Sequence, residues 1–147
     1  MDNIEISKMS IEDLETIKNI LFEEYDDFWN YNIFKSELEN PNSKYIKATI
    51  NNEIIGFAGI WKAVDDIHIT NIVTKKNYRR KGVASNLLIE LINLSKLEKG
   101  IYSITLEVNC KNIPAIKLYE KHGFRNVGLR KKYYNNTYDA IIMTKEL

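Results

Sequence analysis

The chain has 147 residues, enough for one domain with a sizeable core, and its 44% hydrophobic and 28% charged residues are ordinary for a folded protein. A formal net charge of +1 gives no overall field for holding nucleic acid, and the single cysteine, Cys110, excludes an internal disulfide. His68, His122 and Cys110 have no zinc spacing, no apolar run reaches the length of a membrane span, and no signal-peptide core opens the chain. Cytoplasmic residence is therefore expected, with no membrane, metal or direct nucleic-acid contact.

No linker, repeat or low-complexity tract interrupts the sequence, so residues 1–147 read as a single domain. Ile4 and Ile6 alternate as a strand. Ser10 follows as an N-cap with Asp13 three residues on, and Leu14, Ile17, Leu21 and Tyr25 recur at helical spacing. Asp26-Asp27-Phe28-Trp29 reads as a loop, and a second helix spans Tyr31 to Glu39, ending before Pro41. Strands at Tyr45 to Ile50 and Ile54 to Trp61 flank Asn51-Asn52, a two-residue hairpin turn because asparagine tolerates positive φ. Asp65-Asp66 is a second turn, leading into an Ile67 to Val73 strand. A helix over Val83 to Leu97 carries Val83, Leu87, Leu91 and Leu94 on one face. Ile104, Leu106 and Val108 alternate as a strand. Asn112 then caps a helix with Pro114 in its first turn, where a missing N–H costs little, and with Ala115, Leu118 and Tyr119 along it. That helix ends at Gly123. Phe124 to Tyr134 and Asp139 to Thr144 form a closing hairpin. The order is β-α-α-β-β-β-α-β-α-β-β, a mixed α/β domain.

Between the Ile67 to Val73 strand and the following helix stand Arg79-Arg80-Lys81-Gly82-Val83-Ala84. Backbone N–H groups at a helix start lack intrahelical partners and the dipole favours anions there. Gly82 has no Cβ and Ala84 only a methyl, so a bulky ligand can come close to the backbone. The arrangement reads as a pyrophosphate cradle. Taken alone, the three basic residues are more often a solvated charge run, and only the strand-loop-helix context lifts them above it.

Arg79, Gly82 and Ala84 match the acetyl-CoA loop Gln/Arg-x-x-Gly-x-Gly/Ala. Leu106-Glu107-Val108, Asn112, Ala115, Leu118-Tyr119-Glu120 and Gly123-Phe124 form a more specific block, joined by Asn71-Ile72-Val73, Tyr133-Tyr134 and Asp139-Ala140-Ile141-Ile142-Met143. On these residues the chain resembles, from end to end, the GNAT superfamily of N-acetyltransferases. Within it the chain is similar to the bacterial subgroup that acetylates the N-terminal alanine of a small-subunit ribosomal protein. Asn109 departs from the arginine common after Glu-Val, Tyr138 from an acidic residue, and Asn135-Asn136-Thr137 is a shorter loop than in some relatives. All three lie where a peptide would enter.

The resemblance implies the GNAT fold, a mostly antiparallel mixed sheet of about seven strands flanked by four helices, in a monomer or weak dimer. Its splayed central strands would hold acetyl-CoA as co-substrate, with no metal. The strand ending at Ile72-Val73 would part from the one containing Glu107 to admit the pantetheine arm, with the Val73 amide aimed at the thioester oxygen. Arg79, Arg80, Lys81, Gly82, Val83 and Ala84 would hold the pyrophosphate, and Asn112 would contact the arm. Glu107 matches the family's base and Tyr119 the acid that protonates the leaving thiolate. A free α-amine has a pKa of about 8, so a carboxylate relaying through water suffices to deprotonate it, and a phenol with pKa near 10 stays protonated at neutral pH. Glu107 would gain basicity if its side chain entered a partly dry cleft.

Each of these residues also has a plainer reading: Glu107 as an exposed strand residue paired with a lysine, Tyr119 as a helix core aromatic, Asn112 as an N-cap, Cys110 as an inert thiol, His68 and His122 as structural. The acceptor is the N-terminus of a ribosomal protein on the leading reading and a small amine, such as a polyamine or antibiotic, on the second. A non-catalytic acyl-CoA-binding module is the third, disfavoured because a binder needs neither Glu107 nor Tyr119. An open groove lined by Tyr133, Tyr134 and the short loop after them would favour a peptide, and a closed acidic pocket a small cation; Phe28 and Trp29, like the two tyrosines, read equally as groove residues or ordinary packing.

Overall fold

The fold was obtained as a computed structural model that describes residues 3–25, 30–134 and 138–147, with backbone alone over 132–134. Seven strands form one sheet in the order β1-β2-β3-β4-β5-β7-β6. They are β1 (Glu5–Lys8), β2 (Ser43–Ile50), β3 (Glu53–Ala63), β4 (Asp66–Thr74), β5 (Ser103–Asn109), β6 (Arg125–Tyr134) and β7 (Tyr138–Glu146). Every neighbouring pair is antiparallel except β4 and β5. Helices α1 (Ile11–Ile17), α2 (Tyr31–Glu39), α3 (Val83–Lys96) and α4 (Ile113–Lys121) complete the expected mixed, mostly antiparallel architecture.

The sheet buries both faces. On one, Val83, Leu87, Leu88, Leu91 and Ile92 of α3 pack on Ile55, Ile60, Ile67, Ile69, Leu106, Val108 and Met143. On the other, Leu14, Ile17, Leu21, Tyr25 and Phe34 pack on Tyr45, Phe57 and Val73. Alternation along β5, where Ile104, Leu106 and Val108 are buried and their neighbours are not, places Glu107 on the face opposite α3. Gly59 is needed on the α1–α2 face, because any Cβ there would overlap the Tyr45 ring.

Local chemistry accounts for most of the element boundaries. Ser10 and Asp13 form a reciprocal capping box on α1, and Lys47 pairs with Asp13 at 2.7 Å, tying that cap to β2. Asn51 and Asn52 take positive φ of 49° and 68° in the β2–β3 hairpin. Asn112 caps α4 and Gly123 adopts φ 93° beyond its end. Two expectations are corrected. The first helix is regular only to Ile17 and continues as a 3₁₀ turn (Lys18–Ile20) and a π turn (Leu21–Tyr25), although Leu14, Ile17, Leu21 and Tyr25 are all buried as expected. The β3–β4 turn sits one residue early, because Val64 takes positive φ (37°) and Asp66 opens β4. Phe28, Trp29, the loop 135–137 and the side chains of Tyr133 and Tyr134 lie outside the described residues.

Candidate active site

Strands β4 and β5 run parallel and pair only at Asp66↔Ser103, Ile67↔Ile104 and His68↔Thr105. Beyond His68 they part, although β4 continues to Thr74 and β5 to Asn109. The divergence starts at a bulge: β3 pairs Ile60 with Ile69 but Gly59 with Asn71, leaving Thr70 as an extra residue in β4. A bulge bends its strand and increases the local twist, which turns β4 away from β5.

The fork opens a cavity of about 950 Å³ lined by the far halves of both strands, the loop at Gly82, and Asn112, Leu118 and Tyr119 of α4. Register decides which backbone groups look into it. Lys62 N–H donates to Asn42 O at 3.0 Å and Lys75 N–H to Ile55 O at 2.8 Å. With unbroken pairing from Phe57↔Val73 to Gly59↔Asn71, the N–H and C=O groups of Val73 and Asn71 therefore turn to β3. Those of Ile72 and Thr74 face the fork. On the other prong, Cys110 N–H donates to Asp139 O at 2.9 Å, so the backbone groups of Glu107 and Asn109 face the fork. The expectation for the Val73 amide is thereby corrected: its N–H turns to β3 and its side chain is buried in Phe57's cluster, leaving the backbone groups of Ile72 and Thr74 to face the fork.

At the mouth of the fork, Gly82 is the N-cap of α3 with φ 84°, and Arg80 also has positive φ, 64°. The first α3 bond is Asn86 N–H to Gly82 O at 3.1 Å, so the N–H groups of Val83, Ala84 and Ser85 have no partner within the helix. A Cβ on Gly82 would stand in open space, with only Asn86 Nδ2 within 4.0 Å. Backbone conformation, rather than packing, calls for glycine here. Arg79, Arg80 and Lys81 are all exposed at this rim. Arg79 Nη2 reaches Tyr25 O at 3.5 Å, joining the loop to the π turn. That turn is held by Lys75, which pairs with Glu53 at 2.7 Å and Glu24 at 3.5 Å. Burial pushes the Tyr25 phenol up to about 12, and the hydroxyl donates to Ile54 O at 2.7 Å. The donors, the cationic rim and the open space over Gly82 fit a nucleotide pyrophosphate.

Glu107 enters the cavity but is not isolated: Arg130 Nη2 of β6 stands 2.8 Å from its Oε1. The plainer reading of Glu107 has an exposed carboxylate paired with a lysine; the partner is this arginine, and the carboxylate is half-buried. Asn112 Oδ1 accepts from Ala115 N–H at 3.3 Å, so it is an N-cap and a cavity wall together, with its amide NH₂ still able to donate. Tyr119 lines the cavity from α4 with its ring edge-on to Phe124, centroids 6.0 Å apart, and burial pushes its phenol up to about 12. Ser85 and His122, the C-cap of α4, lie 3.3 Å apart and link the start of α3 to the end of α4. His68 sits 3.2 Å from Asp66 and edge-on to Trp61. Among the described residues no cluster of His, Cys, Asp and Glu could hold a metal, and no helix is long and apolar enough to cross a membrane.

The cavity thus brings together Ile72, Val73, Arg79, Arg80, Gly82, Val83, Ala84, Glu107, Asn112 and Tyr119. Lys81 stands apart from the lining, its Nζ 5.5 Å from the Tyr78 ring centroid. Sequence reading missed Thr74 and Arg130. Thr74 faces the fork through a bulge that the sequence does not mark, and the one signal for Arg130 is a cationic residue two positions beyond Gly128, on the face that carries Glu107.

A parallel pair forked beside a basic, glycine-capped helix start is the architecture of an acyl-CoA-dependent transferase. The chain belongs to the acetyltransferase (GNAT) family, whose model matches residues 9–124, and it is an acetyltransferase of that type. It is 36% identical over 140 residues, 94% of this chain and 92% of the other, to a Bacillus subtilis protein provisionally named a ribosomal protein bS18-alanine N-acetyltransferase. The crystal structure of a ribosomal-protein-alanine N-acetyltransferase from Escherichia coli superposes with a TM-score of 0.86 at 30% identity, covering 98% of this chain and 94% of that one. A GNAT acetyltransferase from Elizabethkingia anophelis, crystallised with acetyl-CoA bound, shares the fold with a TM-score of 0.79 at 23% identity and full coverage of both chains. GNAT acetyltransferases use acetyl-CoA.

Proposed function

We propose that this protein is a single-domain, acetyl-CoA-dependent N-acetyltransferase acting on the N-terminal α-amino group, that of alanine, of a small-subunit ribosomal protein. The observation that carries the reading is the fork: one cavity is reached by an anion-binding helix start, a carboxylate and a protonated phenol. Acetyl-CoA, when bound, supplies the thioester acetyl group. The N–H groups of Val83, Ala84 and Ser85 and the guanidinium of Arg79 would hold the pyrophosphate. The fork-facing amides of Ile72 and Thr74 would align the pantetheine arm and offer a donor where negative charge develops on oxygen. Asn112 would donate to the same arm. Glu107 takes the proton of the incoming ammonium through a water, leaving a neutral nucleophile. Tyr119, whose phenol stays protonated below about 12, would give its proton to the thiolate as the C–S bond breaks, and the second proton shed by the attacking nitrogen would restore the phenol.

Charge supports this acceptor class over a polyamine. A polyamine site would be a closed acidic pocket, whereas Glu107, the one carboxylate in the described lining of this cavity, is already paired with Arg130. Small-subunit ribosomal proteins from cells with and without the gene, compared by intact mass, test the assignment. One protein should lose one acetyl group in the deletion strain, located on its N-terminal alanine by fragmentation. An unchanged set of masses would refute the ribosomal acceptor.

A further inference from the structure

Glu107 of β5 is paired in register with Ile142 of β7, and Ile142 with Gly128 of β6. One step further along the same face, Ala140 is paired with Arg130. Gly128 has no side chain and Ala140 only a methyl, so the Arg130 side chain can cross β7 and bring Nη2 to 2.8 Å from Glu107 Oε1. Its side chain lines the cavity and stays 56% exposed. Glu107 is the one acidic side chain that lines the cavity among the described residues.

We propose that Arg130 is a specificity-determining residue for the acceptor: its guanidinium cancels the carboxylate charge of Glu107 and disfavours amines that carry a second positive charge close to the first. An α-ammonium presents one charge and needs one carboxylate. A short polyamine must bring its second ammonium within the screening length of Arg130, where the like charges repel. Selectivity built from a repulsive element of this kind needs no extra contact to the favoured substrate. The inference rests on the reading of this cavity as the site where an amine accepts acetyl.

The test uses spermidine as probe at fixed ionic strength. The quantity measured is the spermidine concentration that halves acetylation of an alanyl tetrapeptide, whether it competes as substrate or as inhibitor. Arg130→Gln should lower that concentration at least about tenfold, and Arg130→Lys, which keeps the charge, should leave it within about threefold of the wild type. A halving concentration unchanged in Arg130→Gln would overturn the proposal. So would an equal fall in Arg130→Lys, since shape rather than charge would then be responsible. If the wild type does not acetylate alanyl peptides, the ribosomal reading fails by itself, and the spermidine competition is read against whichever monoamine the enzyme does acetylate.

Discussion

Replacing Glu107 by glutamine is expected to lower kcat by about 10²–10⁴-fold while acetyl-CoA affinity stays within about twofold, because the change removes a proton acceptor and no volume. The loss should be greatest at low pH. An α-amine of pKa about 8 is mostly ammonium below neutrality, and without a base only the small neutral fraction reacts. Activity of the variant should then rise about tenfold per pH unit up to that pKa and level off above it. The wild type, relaying the proton through Glu107, should fall off less steeply as pH drops. Tyr119→Phe gives the contrasting profile: slower turnover at every pH up to about 10, since a phenol raised to about 12 does not titrate there. Steady-state rates against pH, with acetyl-CoA affinity measured by calorimetry, check both. A Glu107→Gln enzyme as fast as the wild type would remove Glu107 from the mechanism.

The second large effect is expected at Gly82. Its φ of 84° lies in the left-handed region, where a side chain costs roughly 1–2 kcal/mol, more for a β-branched one. The surroundings would otherwise accept a Cβ, with Asn86 Nδ2 the only neighbour at 4.0 Å. Gly82→Val therefore puts its methyls into the open space above the α3 N–H groups, where the proposed pyrophosphate would sit. KM for acetyl-CoA should rise by about 100-fold, as expected when several charge-assisted hydrogen bonds of about 1.5–3 kcal/mol each are weakened together. The acceptor KM should change little, and Tm should fall by only a few degrees. A variant that loses stability but keeps its acetyl-CoA KM would show that Gly82 serves the turn alone.

These two residues also mark how far sequence reading reaches. Gly82, Asn112, Pro114 and Gly123 were legible because capping and positive φ are local demands that a few residue types meet. Leu106 and Val108 were legible because alternation fixes which side of a strand is buried, and this also turned Glu107 away from α3. The fork was not legible. It depends on where two strands stop pairing, and on a bulge at Thr70 that shifts the parity of β4 relative to β3. That parity moves the fork-facing amides from Val73 to Ile72 and Thr74. Arg130 was missed for a related reason: its contact with Glu107 crosses an intervening strand, β7, that comes later in the chain than either residue. The π turn at Leu21–Tyr25 escaped as well, since buried Leu21 and Tyr25 satisfy a regular helical period equally.

The most direct measurement gives purified protein acetyl-CoA together with peptides that begin with Ala, Ser, Met or Gly and carry an internal lysine, alongside spermidine. Fragment-ion mass spectrometry then locates any acetyl group. The account predicts acetyl on the α-nitrogen of the alanyl peptide, made at a higher kcat/KM than on the other N-termini. Acetyl found only on spermidine or on lysine side chains would contradict it.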